Sequence, residues 1–115
     1  MTMQYVSTRG NEQKLESSAA ILAGMAEDGG LFVPKQIPKI GPNFTASLMP
    51  LTYPQRAEQI LQLLLDDYGP EDLNGCVDRA YGEGKFDHPA VAPLRLVGET
   101  GMLELWHGPT SAFKD

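Results

Sequence analysis

Apolar residues fall into short clusters along this chain, and their spacing changes character from one end to the other. Met3-Gln4-Tyr5-Val6 has weak strand character, and Ser7-Thr8-Arg9-Gly10 reads as a turn after it. Past the charged stretch from Glu12 to Glu16, Ser17 and Ser18 are candidate helix N-caps before Ala19-Ala20-Ile21-Leu22-Ala23. Ile21, Leu22 and Met25 have the spacing of one helix face, and Asp28-Gly29-Gly30 supplies the stop. Leu31-Phe32-Val33, closed by Pro34, predicts a brief strand. Pro34, Pro38, Pro42, Pro50 and Pro54 then predict an ordered wrap, with one helical turn around Phe44 to Leu48.

The strongest periodicity follows. Thr52 and Gln55 have capping-box spacing, and Pro54 sits in the first turn, where a missing N–H costs little. Ala57, Ile60, Leu61, Leu64, Leu65 and Tyr68 trace one apolar face that Gly69 ends. Pro70 opens a second helix, with Glu71 and Asp72 near its positive end. Leu73, Cys76, Val77, Ala80 and Tyr81 repeat the spacing, although Gly75 in the interior costs ~1 kcal/mol. Two amphipathic helices joined by Gly-Pro predict a packed helical hairpin. Leu94–Val97 and Met102–Trp106 predict two strands joined by the turn residues Gly98 to Gly101. The pattern as a whole is α+β: three main helices, short N-terminal strands and a C-terminal β-hairpin.

Composition narrows the function classes. A length of 115 residues suits one domain of ordinary size. The net charge of −6 and pI near 4.8 argue against nucleic acid or an anionic membrane surface as partner. No apolar run approaches the ~20 residues of a bilayer span, and no basic n-region precedes an apolar stretch. The expected compartment is the cytoplasm. Cys76 alone makes no disulfide framework, and its place on a predicted apolar face marks it as a buried structural thiol. His88, before Pro89, reads as a surface loop residue, and its spacing to His107 fits no metal motif, so no metal is expected. Asp66-Asp67 and Glu71-Asp72 read as solvated helix ends, and Gly29-Gly30 lacks the Lys and Ser/Thr of a phosphate loop.

The C-terminal segment carries the candidate chemistry. It places Lys114 after a strand and a Gly108-Pro109 turn, next to Phe113. Desolvation in such a setting favours the neutral amine, which condenses with an aldehyde cofactor. The run His107-Gly108-Pro109-Thr110-Ser111-Ala112-Phe113-Lys114-Asp115 resembles the HGPTxAFKD segment of threonine synthases, with Ser111 at the variable place. Tyr5-Val6-Ser7-Thr8-Arg9-Gly10 and Asp28-Gly29-Gly30-Leu31-Phe32-Val33-Pro34 agree with the same family in order and spacing, so the resemblance covers essentially the whole chain.

That resemblance implies a fold-type II pyridoxal-phosphate enzyme converting O-phospho-L-homoserine and water to L-threonine and phosphate. Lys114 would both hold pyridoxal 5'-phosphate and relay protons as the catalytic amine. It also implies a longer protein: residues 1–93 as an N-terminal domain, and residues 94–115 as the start of the catalytic domain. The phosphate cup lies downstream in the family. By itself the chain is therefore expected to be inactive, and to self-associate through surface that the catalytic domain would cover. Gly108-Pro109 would fix the turn that aims Lys114, and Phe113 would pack rather than stack on the cofactor. His107 and Thr110 either touch cofactor or substrate or stabilise the turn by hydrogen bonds. Arg9 either approaches a phosphate or pairs with a carboxylate of this chain. Two other readings stand beside this one: another fold-type II lyase, and a non-enzymatic module binding a partner around Trp106 and Phe113.

Overall fold

The computed structural model describes residues 2–115. Strand β1 (Tyr5–Ser7) is the centre of a three-stranded antiparallel sheet, between β2 (Lys14–Leu15) and β3 (Phe32–Pro34). Tyr5 stands opposite Leu15 and Pro34, and Val6 opposite Lys14 and Val33. Helix α1 (Ser17–Ala23) lies between β2 and β3, and α2 (Pro42–Leu48), α3 (Tyr53–Leu64) and α4 (Pro70–Tyr81) follow. β4 (Leu94–Val97) and β5 (Thr100–Leu103) form a separate antiparallel hairpin, with Leu94 opposite Leu103 and Val97 opposite Thr100. The α+β architecture is as predicted. Two elements exceed the sequence reading: α2 is a full helix rather than one turn, and the edge strand β2 was not predicted. Lys14-Leu15 is too short to show alternation.

Helix α1 departs from its predicted form in two ways. It stops at Gly24, whose φ of +73° only glycine adopts without cost, and not at Asp28-Gly29-Gly30. Met25 instead bridges to Leu31, and Asp28-Gly29-Gly30 lies in the tight loop that this bridge closes. There Ala26 N–H donates to the Gly30 carbonyl at 2.9 Å and Gly29 N–H to the Ala26 carbonyl at 2.8 Å. The buried face is also the reverse of the one predicted. Ser17 and Ala20 point inward, whereas Ile21 is exposed and Leu22 is 90% exposed.

The reason is a polar anchor. The N-cap Glu16 makes no side-chain cap bond, and Asp67 takes its place from across the fold. Its carboxylate accepts the Ser17 hydroxyl and, at 2.9 Å, the Ser18 N–H. Asp66 accepts the Met3 N–H through both oxygens at 2.9 Å. Asp66-Asp67 is therefore a tie between the end of α3, β1 and α1, and not a solvated helix end. The same tie explains why α3 stops at Leu64 rather than at Gly69. Two carboxylates are unfavourable at a helix C-terminus, and here they are engaged elsewhere. The Tyr5 hydroxyl donates to the freed Leu64 carbonyl at 2.8 Å.

Burial pushes the Asp67 carboxyl up, but hydrogen bonds from Ser17 and Ser18 outweigh it and bring the pKa from 3.8 to about 2. A depressed folded-state value gives stability that is present above 3.8 and is lost as pH falls toward about 2. Asp67→Ala is expected to cost about 1 kcal/mol at neutral pH, the usual worth of a helix cap. It should also remove that acid limb from urea unfolding measured across a pH series.

The helical hairpin forms as the periodicity predicts. Thr52 N–H donates to Gln55 Oε1 at 3.0 Å, and the Thr52 side chain accepts from the N3 backbone in return. Tyr53 of α3 meets Tyr81 of α4 edge-on at 5.3 Å. Leu73 and Val77 are buried, but Cys76 is exposed and Arg79 Nη2 lies 3.3 Å from its sulfur. The expectation of a buried thiol is thus corrected. A helix packed on one neighbour hides only a narrow stripe, and Cys76 lies beside it.

Much apolar surface remains outside. The Cα radius of gyration is 16.4 Å, against about 13 Å for a compact 100-residue domain. Leu94, Leu96, Val97, Met102 and Leu103 of the β4–β5 hairpin are all exposed, and a lone two-stranded hairpin is marginally stable in water. No helix among the described residues is long and apolar enough to cross a membrane.

Candidate active site

The two upstream motifs meet in one knot. Asp28 Oδ1 accepts the Ser7 hydroxyl at 2.7 Å and the Gly30 N–H at 2.9 Å. Arg9 N–H donates to Ser7 Oγ, and Arg9 Nη1 donates to the Asp28 carbonyl at 2.9 Å. The hydrogen bonds from Ser7 and then Gly30, with the nearby Arg9 charge adding a little, hold the Asp28 carboxyl below its usual range. Arg9 therefore bonds a main-chain carbonyl of its own sheet region, a partner that neither reading of it anticipated.

The second cluster sits where the hairpin meets the C-terminal turn. Glu104, 8% exposed, follows β5, and its N–H donates to the Pro93 carbonyl at 2.9 Å, one residue beyond the ladder. Its two oxygens take Arg95 Nε and His107 Nε2, each at 2.7 Å. The other ring nitrogen, Nδ1, lies 2.5 Å from Asp87. With a carboxylate acceptor at each ring nitrogen, the arrangement favours the doubly protonated, cationic form of His107. Hydrogen bonds to Glu104 and Asp87 hold its pKa above the ordinary 6.5 despite partial burial. His88 is half-buried rather than a free surface residue, its ring 5.0 Å from that of His107.

The turn itself is closed by its last residue. Asp115 accepts the Thr110 N–H at 3.0 Å and also the Thr110 hydroxyl, which holds its carboxyl below the usual range. Gly108 has no room for a side chain, because an added Cβ would stand 2.4 Å from Asp115 Cβ. Thr110 thus stabilises the turn, and Gly108 lets it close. Lys114 projects from this turn, exposed, with Nζ 5.9 Å from the centroid of the Phe113 ring. Among the described residues it makes no ion pair.

Three segments far apart in sequence thus form two internally hydrogen-bonded clusters. A model of the family described as "Threonine synthase N terminus" matches residues 4–81. The chain belongs to that family. A threonine synthase from Pseudomonas aeruginosa is 41% identical over 98% of this chain, which covers 24% of that protein. A threonine synthase from Schizosaccharomyces pombe is 36% identical over 98% of the chain and 22% of its own length. A PLP-bound threonine synthase crystal structure from Brucella melitensis superposes with a TM-score of 0.88 at 39% identity, over 98% of this chain and 24% of that one. The chain spans about a quarter of the length of the curated relatives it matches.

For the cofactor that the threonine synthase family implies, the residues here fit one end. The Lys114 amine is exposed and unpaired by any carboxylate among the described residues, as condensation with an aldehyde requires. The amides around it are already used: Thr110 N–H on Asp115, and Ser111 N–H on the Gly108 carbonyl at 3.1 Å. The cofactor's phosphate would need other donors. Asp28 and Asp115 lie within the motifs themselves, whereas Asp87 and Glu104 were not singled out as site-building residues. Isolated carboxylates in a chain with 15 of them carry no pattern that marks them out.

Proposed function

We propose that this chain is the N-terminal part of a threonine synthase that converts O-phospho-L-homoserine and water to L-threonine and phosphate. The observation that carries the reading is the Lys114 turn, with its amine exposed on a closed, internally hydrogen-bonded loop. When bound, pyridoxal phosphate supplies an electron sink that acidifies the carbon next to the substrate amine. Lys114 holds it and, once its amine is neutral, takes the proton from that carbon. Lysine suits this role because it is long, mobile and able to shed its own proton, which arginine is not.

The division at residues 93 and 94 is part of the same proposal. It is supported by the family match ending at residue 81 and by the separate hairpin beginning at Leu94. The exposed hairpin and the outward Ile21 and Leu22 of α1 are the surfaces on which further protein would pack, and through which the isolated chain would self-associate. On this account the chain alone lacks the donors for the cofactor phosphate and is inactive.

The test is product analysis on the full-length protein carrying this N-terminus, supplied with pyridoxal phosphate and O-phospho-L-homoserine. Phosphate and L-threonine are expected in equal amounts. Phosphate released with a different amino-acid or keto-acid product would point instead to another fold-type II lyase.

A further inference from the structure

We propose that His107 is the positioning residue for Lys114: its imidazolium, clamped between Glu104 and Asp87, fixes the root of the turn that carries the lysine. The proposal rests on the reading of Lys114 as the cofactor anchor.

The clamp joins three segments. Asp87 belongs to the connector after α4, Glu104 follows β5, and Glu104 is itself held by Arg95 of β4. The main chain repeats the link, since Asp87 N–H donates to the His107 carbonyl at 3.0 Å. The side chains of the clamp are unequal in exposure: 12% for His107, 10% for Glu104 and 74% for Asp87. Glu104 is thus the fixed wall, and His107 neutralises it from within.

The ring is also tied to the lysine turn. His107, Leu105, Phe113 and Asp115 line one cavity of about 30 Å³. Phe113 and Asp115 are the two neighbours of Lys114 in the chain, so the ring faces, across this cavity, the residues on both sides of the lysine. Val91 lines the same cavity at a φ of +61°, a conformation that β-branched residues adopt only when their surroundings hold them there. The connector is therefore held in a strained form where it meets the turn.

The charged and titratable groups facing the ring are Asp87, Glu104 with Arg95 behind it, the His88 ring, and Asp115 and the Tyr53 hydroxyl-bearing ring across the cavity. Two carboxylates in direct contact favour the cationic ring. Because its folded-state pKa is raised, the clamp is complete below 6.5 and is lost as pH rises through the higher folded value. A neutral ring donates from one nitrogen only, so one of the two contacts must fail.

The test uses the full-length protein with pyridoxal phosphate and O-phospho-L-homoserine, comparing wild type, His107→Gln and Asp87→Asn. His107→Gln is expected to lower kcat by about 10- to 100-fold, as misplacing a reacting group does. KM should change little, and the alkaline limb of the pH profile should disappear. Asp87→Asn keeps the ring, removes one anionic partner and is expected to move that limb to lower pH. Borohydride trapping and peptide mapping report whether Lys114 carries the cofactor in each protein. Unchanged kcat and unchanged limbs, with Lys114 trapped in all three, would overturn the proposal and leave the Lys114 reading intact. Failure to trap Lys114 in wild type would overturn both. If His107→Gln does not fold, Asp87→Asn decides, and a limb at the wild-type position contradicts the clamp.

Discussion

Gly30→Ala is expected to lower the stability of the N-terminal sheet by about 3 kcal/mol, through overpacking and the loss of a charged hydrogen bond. An added Cβ would stand 2.1 Å from Ser7 Oγ and 3.1 Å from the Arg9 nitrogen. Neither atom can retreat, since Ser7 is buried and pairs β1 to β3 opposite Phe32. Ser7 would have to release Asp28, and with it the loop that closes the Met25–Leu31 bridge. Gly29→Ala is the control. Its φ of +77° makes the change conformational, at about 1 to 2 kcal/mol, and its near contact is the flexible end of Arg9. Urea unfolding of the two variants separates the causes. A Gly30→Ala cost no larger than that of Gly29→Ala would contradict the Ser7–Asp28 knot.

Lys114→Arg in the full-length protein is expected to reduce kcat by about 10³-fold or more, although charge and length are nearly kept. The guanidinium does not deprotonate at any working pH, so it neither condenses with an aldehyde nor takes a proton from carbon. Lys114→Ala should lose as much, but it leaves a space that a small primary amine added to the buffer can occupy. Partial recovery with ethylamine in Lys114→Ala, and none in Lys114→Arg, is the expected pattern. Substantial activity in Lys114→Arg would remove this residue from the proton transfer. The isolated turn should survive either change, since its closing bonds run between Thr110 and Asp115.

How far the sequence alone reached depended on whether a signal was local. The α3–α4 hairpin was legible because its cap, Thr52 with Gln55, and its Leu73–Val77 stripe lie within a few residues of each other. The lysine turn was legible as a motif, because Gly-Pro followed by an aromatic and a lysine is contiguous. Helix α1 was misread for the opposite reason. Ile21, Leu22 and Met25 have core-like spacing, yet the orientation of the helix is fixed by Asp67, some fifty positions on. The exposed apolar residues of α1, β4 and β5 satisfied the pattern of a core without forming one. The His107 clamp was invisible because Asp87 and Arg95 reach it only after the hairpin has folded.

On the proposed function, Lys114 anchors pyridoxal phosphate in a threonine synthase. The most direct measurement is to load the full-length protein with the cofactor, dialyse it, reduce with borohydride and map the modified peptide by mass. A single dialysis-resistant pyridoxyl group on the peptide containing Lys114, beside a visible absorption band that borohydride removes, is the predicted result. An adduct confined to another lysine, or none at all, would contradict the account.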